Sequence, residues 1–182
     1  VLAHGTDDQK ERFVKPVANG QHAWCQLFSE PGAGSDLASL ATKAELDGDE
    51  YVITGQKVWN SSADISEWGM LLARTNPGVP KHAGITWMMI DMRQPGIEVR
   101  PLVQMNGRAE FCEVFMTEAR VPVDNVIGGV DNGWKVARTT LNYERGSVGK
   151  RYPKGMVEMK AGSLSGNLDR PGGAMFPMPV AG

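Results

Sequence analysis

The chain has 182 residues, of which 41% are hydrophobic and 22% charged, enough apolar material for one domain with its own core. Its 19 lysines and arginines against 21 aspartates and glutamates give a net charge of −2, without the basic excess typical of nucleic-acid-binding proteins. No apolar run reaches the roughly 18 residues of a membrane span. The chain opens on Val1 without a charged-then-apolar leader, so we interpret it as a fragment of a longer protein.

Cysteines and histidines offer little for metal or disulfide chemistry. Cys25 and Cys112 stand far apart without a CxxC spacing, and the three histidines form no ligand-like cluster with carboxylates. We expect both cysteines to be small core residues in a reducing compartment. The sequence therefore predicts no metal site.

The first predicted element is a short helix, within residues 1–23. Thr6 can cap its start, and Gln9 stands three positions later as the second half of a capping box. The helical pattern runs to Val14 and is expected to break before Pro16. We interpret this segment as the end of an N-terminal helical domain.

Residues 24–128 are predicted to form a strand-rich domain. A turn at Asp47–Glu50, with Gly48 supplying a positive φ, joins the first hairpin. Strands at such regular spacing, with no helical pattern between them, indicate an antiparallel β-barrel or sandwich. The predicted strand pairs are 41–46 with 51–59, 70–75 with 84–92, and 97–105 with 110–121, the last pair joined near Asn106 and Gly107.

A helical period returns in residues 129–150, which we predict to be the first helix of a C-terminal helical domain. Ala137, Leu141 and Val148 form one apolar stripe, and Glu144 lies in its centre. A carboxylate in the middle of an apolar face is unusual, because burial penalises its charge. Glu144 is therefore a candidate functional residue.

The last 32 residues, 151–182, follow neither the helical nor the strand period. They contain six glycines and four prolines. This composition predicts an irregular, poorly ordered tail that departs from the pattern of the rest of the chain.

The segment Ser29–Asp36 is a candidate binding loop. Gly32 and Gly34 allow backbone conformations that other residues rarely adopt, and Ser29 and Ser35 bring two hydroxyls. Such a loop can offer N–H and O–H donors to an anion or to the polar edge of a ring. From spacing alone, an ordinary surface turn is the commoner interpretation, and the segment is neither a GxGxxG loop nor a P-loop.

Two motifs in combination carry a family resemblance. Ser29–Asp36 has the sequence SEPGAGSD, and Gly55–Ser61 has the sequence GQKVWNS, on either side of the turn of the first hairpin. This arrangement closely resembles the middle domain of acyl-CoA dehydrogenases, and the resemblance covers roughly residues 4–149. It implies a mainly β fold, an antiparallel β-barrel or sandwich between two helical segments. Further matches are Phe115, Val121-Pro122, Asn132 to Trp134 and Asn142 to Arg145.

The resemblance implies FAD as the cofactor and assigns residues to it. Trp59 would pack beside the flavin ring, although a core aromatic at a strand end is the plainer interpretation. Ser61 would donate to the reactive edge of the flavin, and Ser35 would touch both the cofactor and the acyl-CoA. Asn60 and Ser62 depart from the commoner isoleucine and asparagine of the family. The complete set of implied cofactor residues is Gln26, Leu27, Phe28, Ser29, Gly34, Ser35, Trp59, Asn60 and Ser61.

The resemblance also offers Glu144 a catalytic role. The family's reaction removes a proton from the carbon beside a thioester carbonyl, and in one branch the base stands at the position of Glu144. In other branches the base lies on a downstream loop that this chain lacks, and the glutamate is structural. Apolar burial of Glu144 would raise its pKa and suit it to act as a base. Substrate contacts are implied for Ser35, Asn142, Tyr143, Glu144 and Arg145.

The implied activity is α,β-dehydrogenation of an acyl-CoA to a trans-2-enoyl-CoA, with the β-hydride passing to FAD. An electron-transferring flavoprotein would accept the electrons. The resemblance further implies a homodimer or homotetramer, in the bacterial cytoplasm or the mitochondrial matrix. Two alternatives stay open: a flavin oxidase or nitroalkane-oxidase type of the same superfamily, and a non-catalytic β-domain that binds FAD weakly or not at all.

Overall fold

The computed structural model describes the backbone of residues 1–150 and the side chains of residues 1–144. Residues 1–143 form one structural unit, and the chain from Glu144 onward belongs to a second. The predicted tail, residues 151–182, lies outside the described residues.

The N-terminal segment is helical over three consecutive turns: α1 (Asp7–Gln9), a wider π-helical turn (Lys10–Val14) and α2 (Lys15–Ala18). The predicted capping box is confirmed, because the N–H of Gln9 donates to Thr6 Oγ1 at 3.2 Å and the N–H of Thr6 donates to Gln9 Oε1 at 3.0 Å. The break predicted before Pro16 is wrong. Pro16 lies in the first turn of α2, where the missing N–H of proline leaves no hydrogen bond unmade.

Seven strands follow in the described residues, and the three predicted hairpins are confirmed as antiparallel pairs. Gly48 (φ 65°) and Gly107 (φ 76°) take the left-handed backbone that two of the connecting turns require. The strands are β1 (Trp24–Leu27), β2 (Lys43–Asp47), β3 (Glu50–Ser61), β4 (Trp68–Arg74), β5 (Ile85–Asp91), β6 (Ile97–Leu102) and β7 (Phe111–Pro122).

The strands form one curled sheet in the order β1-β4-β2-β3-β7-β6, with β5 paired to β4. The mainly β class is confirmed, but the sheet is mixed rather than antiparallel throughout. β1 runs parallel to β4, with Trp24 opposite Trp68 and Leu27 opposite Leu71. The reason is the β2–β3 hairpin between them in sequence, which serves as a crossover and returns the chain to the same end of the sheet.

The core consists of two hydrophobic clusters. The first lies inside the curl of the sheet and contains the free thiols Cys25 and Cys112, whose predicted core placement is confirmed. The second joins β4 and β5 to the N-terminal helix through Phe13 and to the C-terminal helix through Ala137. β4 and β5 are thus covered on both faces, which explains their continuous apolar runs.

The predicted C-terminal helix is present as α3 (Gly133–Lys150). Its start is fixed on β5, because the N–H of Asp131 donates to Thr86 Oγ1 at 2.8 Å and Thr75 Oγ1 donates to Asp131 Oδ1 at 2.5 Å. None of the helices in the described part of the chain combines the length and the apolar character needed to cross a bilayer.

Candidate functional site

The segment that follows β1 lies beside the end of β3, so the two motifs meet. The N–H of Val58 donates to the carbonyl of Ser29 at 2.9 Å. Two side chains make the neighbouring bonds: Asn60 Nδ2 donates to the carbonyl of Gln26 at 2.7 Å, and Lys57 Nζ donates to the carbonyl of Phe28 at 3.0 Å. The structure therefore brings together most of the predicted cofactor residues.

A buried ion pair lies at this junction. Lys57 Nζ is 2.8 Å from Glu30 Oε1, and the exposed fractions of the two side chains are 0% and 7%. The Glu30 carboxylate also accepts from the N–H groups of Ala41 at 2.6 Å and Thr42 at 2.9 Å. Each of the two buried charges thus has an opposite charge beside it and a further hydrogen bond to the backbone, as buried charges require.

The two partners shift each other's pKa in a consistent way. Burial lowers the pKa of Lys57, and the negative charge of Glu30 opposes only part of that effect. Burial is the largest single influence on the pKa of Glu30 and would raise it, but the charge and hydrogen bond of Lys57, together with hydrogen bonds from Thr42 and Ala41, outweigh burial and hold the pKa below its usual value. Both groups are therefore charged at neutral pH.

Sequence reasoning did not single out this pair, although a signal for Lys57 is present. Along β3 the inward positions are Tyr51, Ile53, Gly55 and Lys57, because alternate residues of a strand face the same side. A lysine at an inward position requires a buried partner. Only the fold shows that the partner is Glu30, which lies in another motif.

Trp59 is turned outward by a bulge in β3. Lys57 pairs with Val114 but Asn60 pairs with Cys112, so two residues of β3 stand opposite one residue of β7. Trp59 has φ 63° and is 60% exposed, with its ring edge-on to that of Phe111 at 5.8 Å. The plainer interpretation of Trp59 as a core aromatic is therefore wrong. Left-handed backbone in a non-glycine residue is costly and is concentrated at functional sites.

The SEPGAGSD loop leaves polar groups accessible. Glu30 and Ala33 exchange two backbone hydrogen bonds of 3.0 Å each, which closes a tight turn. Beyond it Gly34 and Ser35 are exposed, and no other atom lies within 4 Å of where a Cβ on Gly34 would stand. Ser61 is also exposed and Ser29 half-buried. Accessible hydroxyls and the exposed ring of Trp59 therefore lie in the same two motifs, which meet at this junction.

Other predicted cofactor residues turn their side chains inward. Leu27, Phe28 and Asn60 are 0%, 2% and 1% exposed. Their side chains pack in the core, so only their backbone groups are left to meet a ligand. Gln26 is half-buried. Asn60 Oδ1 is a buried acceptor without a hydrogen-bond partner.

The predicted substrate residues on α3 are solvent-exposed where the structure describes them. Asn142, Tyr143 and Glu144 are exposed, and the side chain of Arg145 lies outside the described residues. The burial expected for Glu144 is therefore not found, although Leu141, one turn earlier, is half-buried. The catalytic role of Glu144 stays a prediction.

Two further features bear on the choice of ligand. Within the described residues, no group of three histidine, cysteine or acidic side chains is arranged to hold a metal ion. A groove of about 440 Å³ lies between residues 40–45 and 74–81 and includes none of the predicted cofactor residues. This groove and the junction of the two motifs are therefore separate places on the molecule.

The family model "Acyl-CoA dehydrogenase, middle domain" matches residues 25–119. The chain belongs to the acyl-CoA dehydrogenase family. It is 50% identical over 167 residues to acyl-CoA dehydrogenase FadE34 of Mycobacterium tuberculosis, covering 92% of this chain and 22% of that protein. It is 51% identical over 146 residues to acyl-CoA dehydrogenase IpdE1 of the same organism, covering 80% and 38%.

Solved structures agree with this family assignment and confirm the middle-domain fold. The structure titled "Tcur3481-Tcur3483 steroid ACAD" matches with a TM-score of 0.75 and 37% identity, covering 79% of this chain and 37% of that one. This acyl-CoA dehydrogenase chain thus spans well under half the length of its relatives. The FadE34 match covers more residues than the described 150, so it includes part of 151–182.

The residues at the junction fit a flavin. Trp59 offers an exposed aromatic surface, and Ser61 and Ser29 offer accessible hydroxyl donors in the same two motifs. Planar π-systems stack on exposed aromatic rings, and the polar edge of a flavin accepts hydrogen bonds from hydroxyl and backbone N–H groups. Around Gly34, open space allows a ligand to approach the backbone.

Proposed function

We propose that this chain forms the flavin-facing part of the active site of an FAD-dependent dehydrogenase that converts an acyl-CoA thioester to a trans-2-enoyl-CoA. The observation that carries the proposal is the presentation of Trp59 on a strained bulge, beside the SEPGAGSD loop. The family membership of the chain supports the same activity.

Each accessible group has a role in this proposal. Trp59 packs against the flavin ring, the hydroxyls of Ser29 and Ser61 donate to its polar edge, and Ser35 contacts the acyl-CoA. The backbones of Gln26, Leu27, Phe28, Gly34 and Asn60 complete the cradle. Bound FAD would supply the acceptor for the hydride that leaves the β-carbon.

Glu144 is the proposed base that takes the α-proton of the thioester on its carboxylate. It stands one turn after the half-buried Leu141 on α3. A segment packed on that stripe would remove Glu144 from water and hold its carboxylate against the substrate, which favours proton abstraction. Asn142, Tyr143 and Arg145 would contact the substrate beside it.

The test is a titration of the purified protein with FAD, followed by anaerobic addition of acyl-CoA thioesters. We expect the visible absorption of bound FAD to bleach, with a straight-chain and a steroid thioester compared because one structural relative is titled a steroid ACAD. Glu144→Gln should abolish bleaching and leave FAD binding unchanged, whereas the exposed control Glu45→Gln should behave as wild type. Absence of FAD binding would favour the non-catalytic β-domain, and full bleaching by Glu144→Gln would place the base elsewhere.

An oxidase is the second candidate function. The structure titled "Prolyl Acyl Carrier Protein Oxidase AnaB" matches this chain with a TM-score of 0.75 and 30% identity, covering 80% of this chain and 39% of that one. Rapid peroxide formation when the bleached protein meets O₂ would favour the oxidase. Slow reaction with O₂ and fast reoxidation by an electron-transferring flavoprotein would favour the dehydrogenase.

Partners and assembly are part of the proposal. An electron-transferring flavoprotein is the proposed electron acceptor, and a homodimer or homotetramer the proposed assembly. The named relatives are mycobacterial, so the cytoplasm is the proposed compartment rather than a mitochondrial matrix. Light scattering during gel filtration of the purified protein would give the oligomeric state.

A further inference from the structure

The Glu30–Lys57 ion pair ties together three segments: the SEPGAGSD loop, β3 and the residues that lead into β2. Lys57 reaches from β3 to the carbonyl of Phe28 and to Glu30, and Glu30 reaches on to the N–H groups of Ala41 and Thr42. The bulge at Trp59 interrupts the pairing of β3 with β7 here, and on the side of the loop the N–H of Val58 bonds to the carbonyl of Ser29. The pair therefore occupies the place where the SEPGAGSD loop must be held against β3.

We propose that Glu30 and Lys57 are positioning residues that fix the SEPGAGSD loop and the Trp59 bulge in the arrangement that receives the flavin. This inference rests on the proposed function of the site. Neither side chain contacts the ligand, because both are buried. They act through the backbone of Phe28 and Ser29 on one side and through that of Val58 and Trp59 on the other.

Energetics favour a positioning role over a purely stabilising one. In a buried ion pair, the free energy gained from attraction roughly equals the free energy lost when both charges leave water. Neutral residues of similar volume therefore often replace such a pair without loss of stability. An apolar pair has no directional bonds, however, and would leave the loop free to shift along β3. The specific effect of the pair is therefore geometric.

Amide hydrogen exchange of the purified protein tests this inference without reference to activity. The variant Glu30→Gln/Lys57→Met removes both charges and nearly keeps the volume. We expect the amides of Ala33 and Val58 to exchange about tenfold faster than in wild type, while those in the β4–β5 pair keep their rates. The Ala33 amide bonds to Glu30 O and reports the closed turn of the loop, whereas the Val58 amide bonds to Ser29 O and reports the position of the loop against β3. Neither bonds to a replaced side chain.

A matched control removes an exposed pair at a distance from the loop. Arg120 Nη1 lies 2.6 Å from Asp47 Oδ2, and both side chains are well exposed. Asp47→Asn/Arg120→Gln should leave the exchange of Ala33 and Val58 unchanged. Exchange within twofold of wild type at both amides of the double variant would overturn the proposal. If that variant does not fold, Glu30→Asp takes its place, because it retains the charge but shortens the side chain. The exchange rates of the Ala33 and Val58 amides in Glu30→Asp then test the proposal in the same way.

FAD binding supplies the second readout. We expect the dissociation constant for FAD to rise about tenfold in Glu30→Gln/Lys57→Met, and the visible band of bound FAD to move towards that of free FAD. Faster exchange with unchanged FAD affinity and spectrum would overturn the positioning role. If wild-type protein does not bind FAD, the proposed function fails, and the exchange rates still decide whether the pair holds the loop.

Discussion

At the scale of single residues, Trp59 combines a strained backbone with an exposed ring. Left-handed backbone costs about 1–2 kcal/mol in a non-glycine residue, and the edge-on pair with Phe111 returns about 0.5–1.5 kcal/mol. We expect Trp59→Gly to change the free energy of unfolding by less than about 1 kcal/mol, because relief of strain offsets the lost ring contact. Flavin binding should nevertheless be lost.

Urea unfolding and FAD titration of the same samples check this prediction. Trp59→Phe retains an aromatic face and the strain, so it should keep FAD affinity within a fewfold of wild type. A loss of more than about 2 kcal/mol in Trp59→Gly would show that the ring stabilises the fold rather than serves a ligand. Retained FAD affinity in that variant would contradict the stacking role.

The sequence predicts residue chemistry better than residue conformation. The family resemblance assigns Trp59, Ser61 and Ser35 to the cofactor, and each is exposed, while their contact with the cofactor stays a prediction. The left-handed backbone of Trp59 could not be predicted, because it follows from the register of β3 against β7, a partner far along the chain. Likewise, the inward position of Lys57 can be read from strand alternation, but its pairing with Glu30 cannot.

At the scale of elements, the start of α3 depends on close packing against β5. A Cβ on Gly133 would lie 2.4 Å from the Trp87 nitrogen and 2.5 Å from the Thr86 carbonyl carbon, and both are backbone atoms. We expect Gly133→Ala to lower the free energy of unfolding by about 2–3 kcal/mol, since neither neighbour can move aside cheaply. Urea unfolding measures the loss.

Gly34→Ala is the matched control, because a Cβ there meets nothing within 4 Å. Its free energy of unfolding should stay within about 0.5 kcal/mol of wild type. An equally small effect of Gly133→Ala would mean that α3 can begin at a different distance from β5. In that case the hydrogen bond between Asp131 and Thr86 would not hold the start of α3 at one fixed place on β5.

Elements defined by local chemistry were predictable, and those defined by distant pairing were not. The β2–β3 hairpin follows from the turn at Gly48, and the N-terminal helix from the Thr6 capping box. The parallel pairing of β1 with β4 depends on how the intervening hairpin packs, which no local pattern records. The helix continues through Pro16 because a π-helical turn precedes it, and no sequence signal marks that turn.

At the scale of the whole molecule, the buried pair links stability to pH. The pKa of Glu30 lies below its ordinary value of 4.5 because Lys57 and the hydrogen bonds from Ala41 and Thr42 together outweigh the effect of burial. The unfolded chain therefore binds this proton at a higher pH than the folded chain does. The contribution of Glu30 to stability is present above pH 4.5 and is lost as the pH falls through its folded-state pKa.

Exposed carboxylates contribute to the same acid dependence and must be separated from Glu30. Asp7, Asp36 and Glu98 have lowered pKa values because of hydrogen bonds to a lysine or an arginine at the surface. At about 1 M salt the screening length falls to about 3 Å, which weakens these exposed pairs far more than the buried one. The pH dependence that remains at high salt therefore comes mainly from buried or backbone-bonded carboxylates.

The decisive quantity is the difference in free energy of unfolding between wild type and Glu30→Gln/Lys57→Met, measured by urea unfolding at about 1 M salt from about pH 7 to about pH 3. Other carboxylates are common to both proteins and cancel in the difference. We expect a constant difference above pH 4.5 and a growing relative advantage of the variant below it, because only wild type must protonate a buried, paired Glu30 in acid. A difference that stays constant over the whole range would show that Glu30 titrates alike in the folded and unfolded chains, and that the pair does not hold the loop by charge.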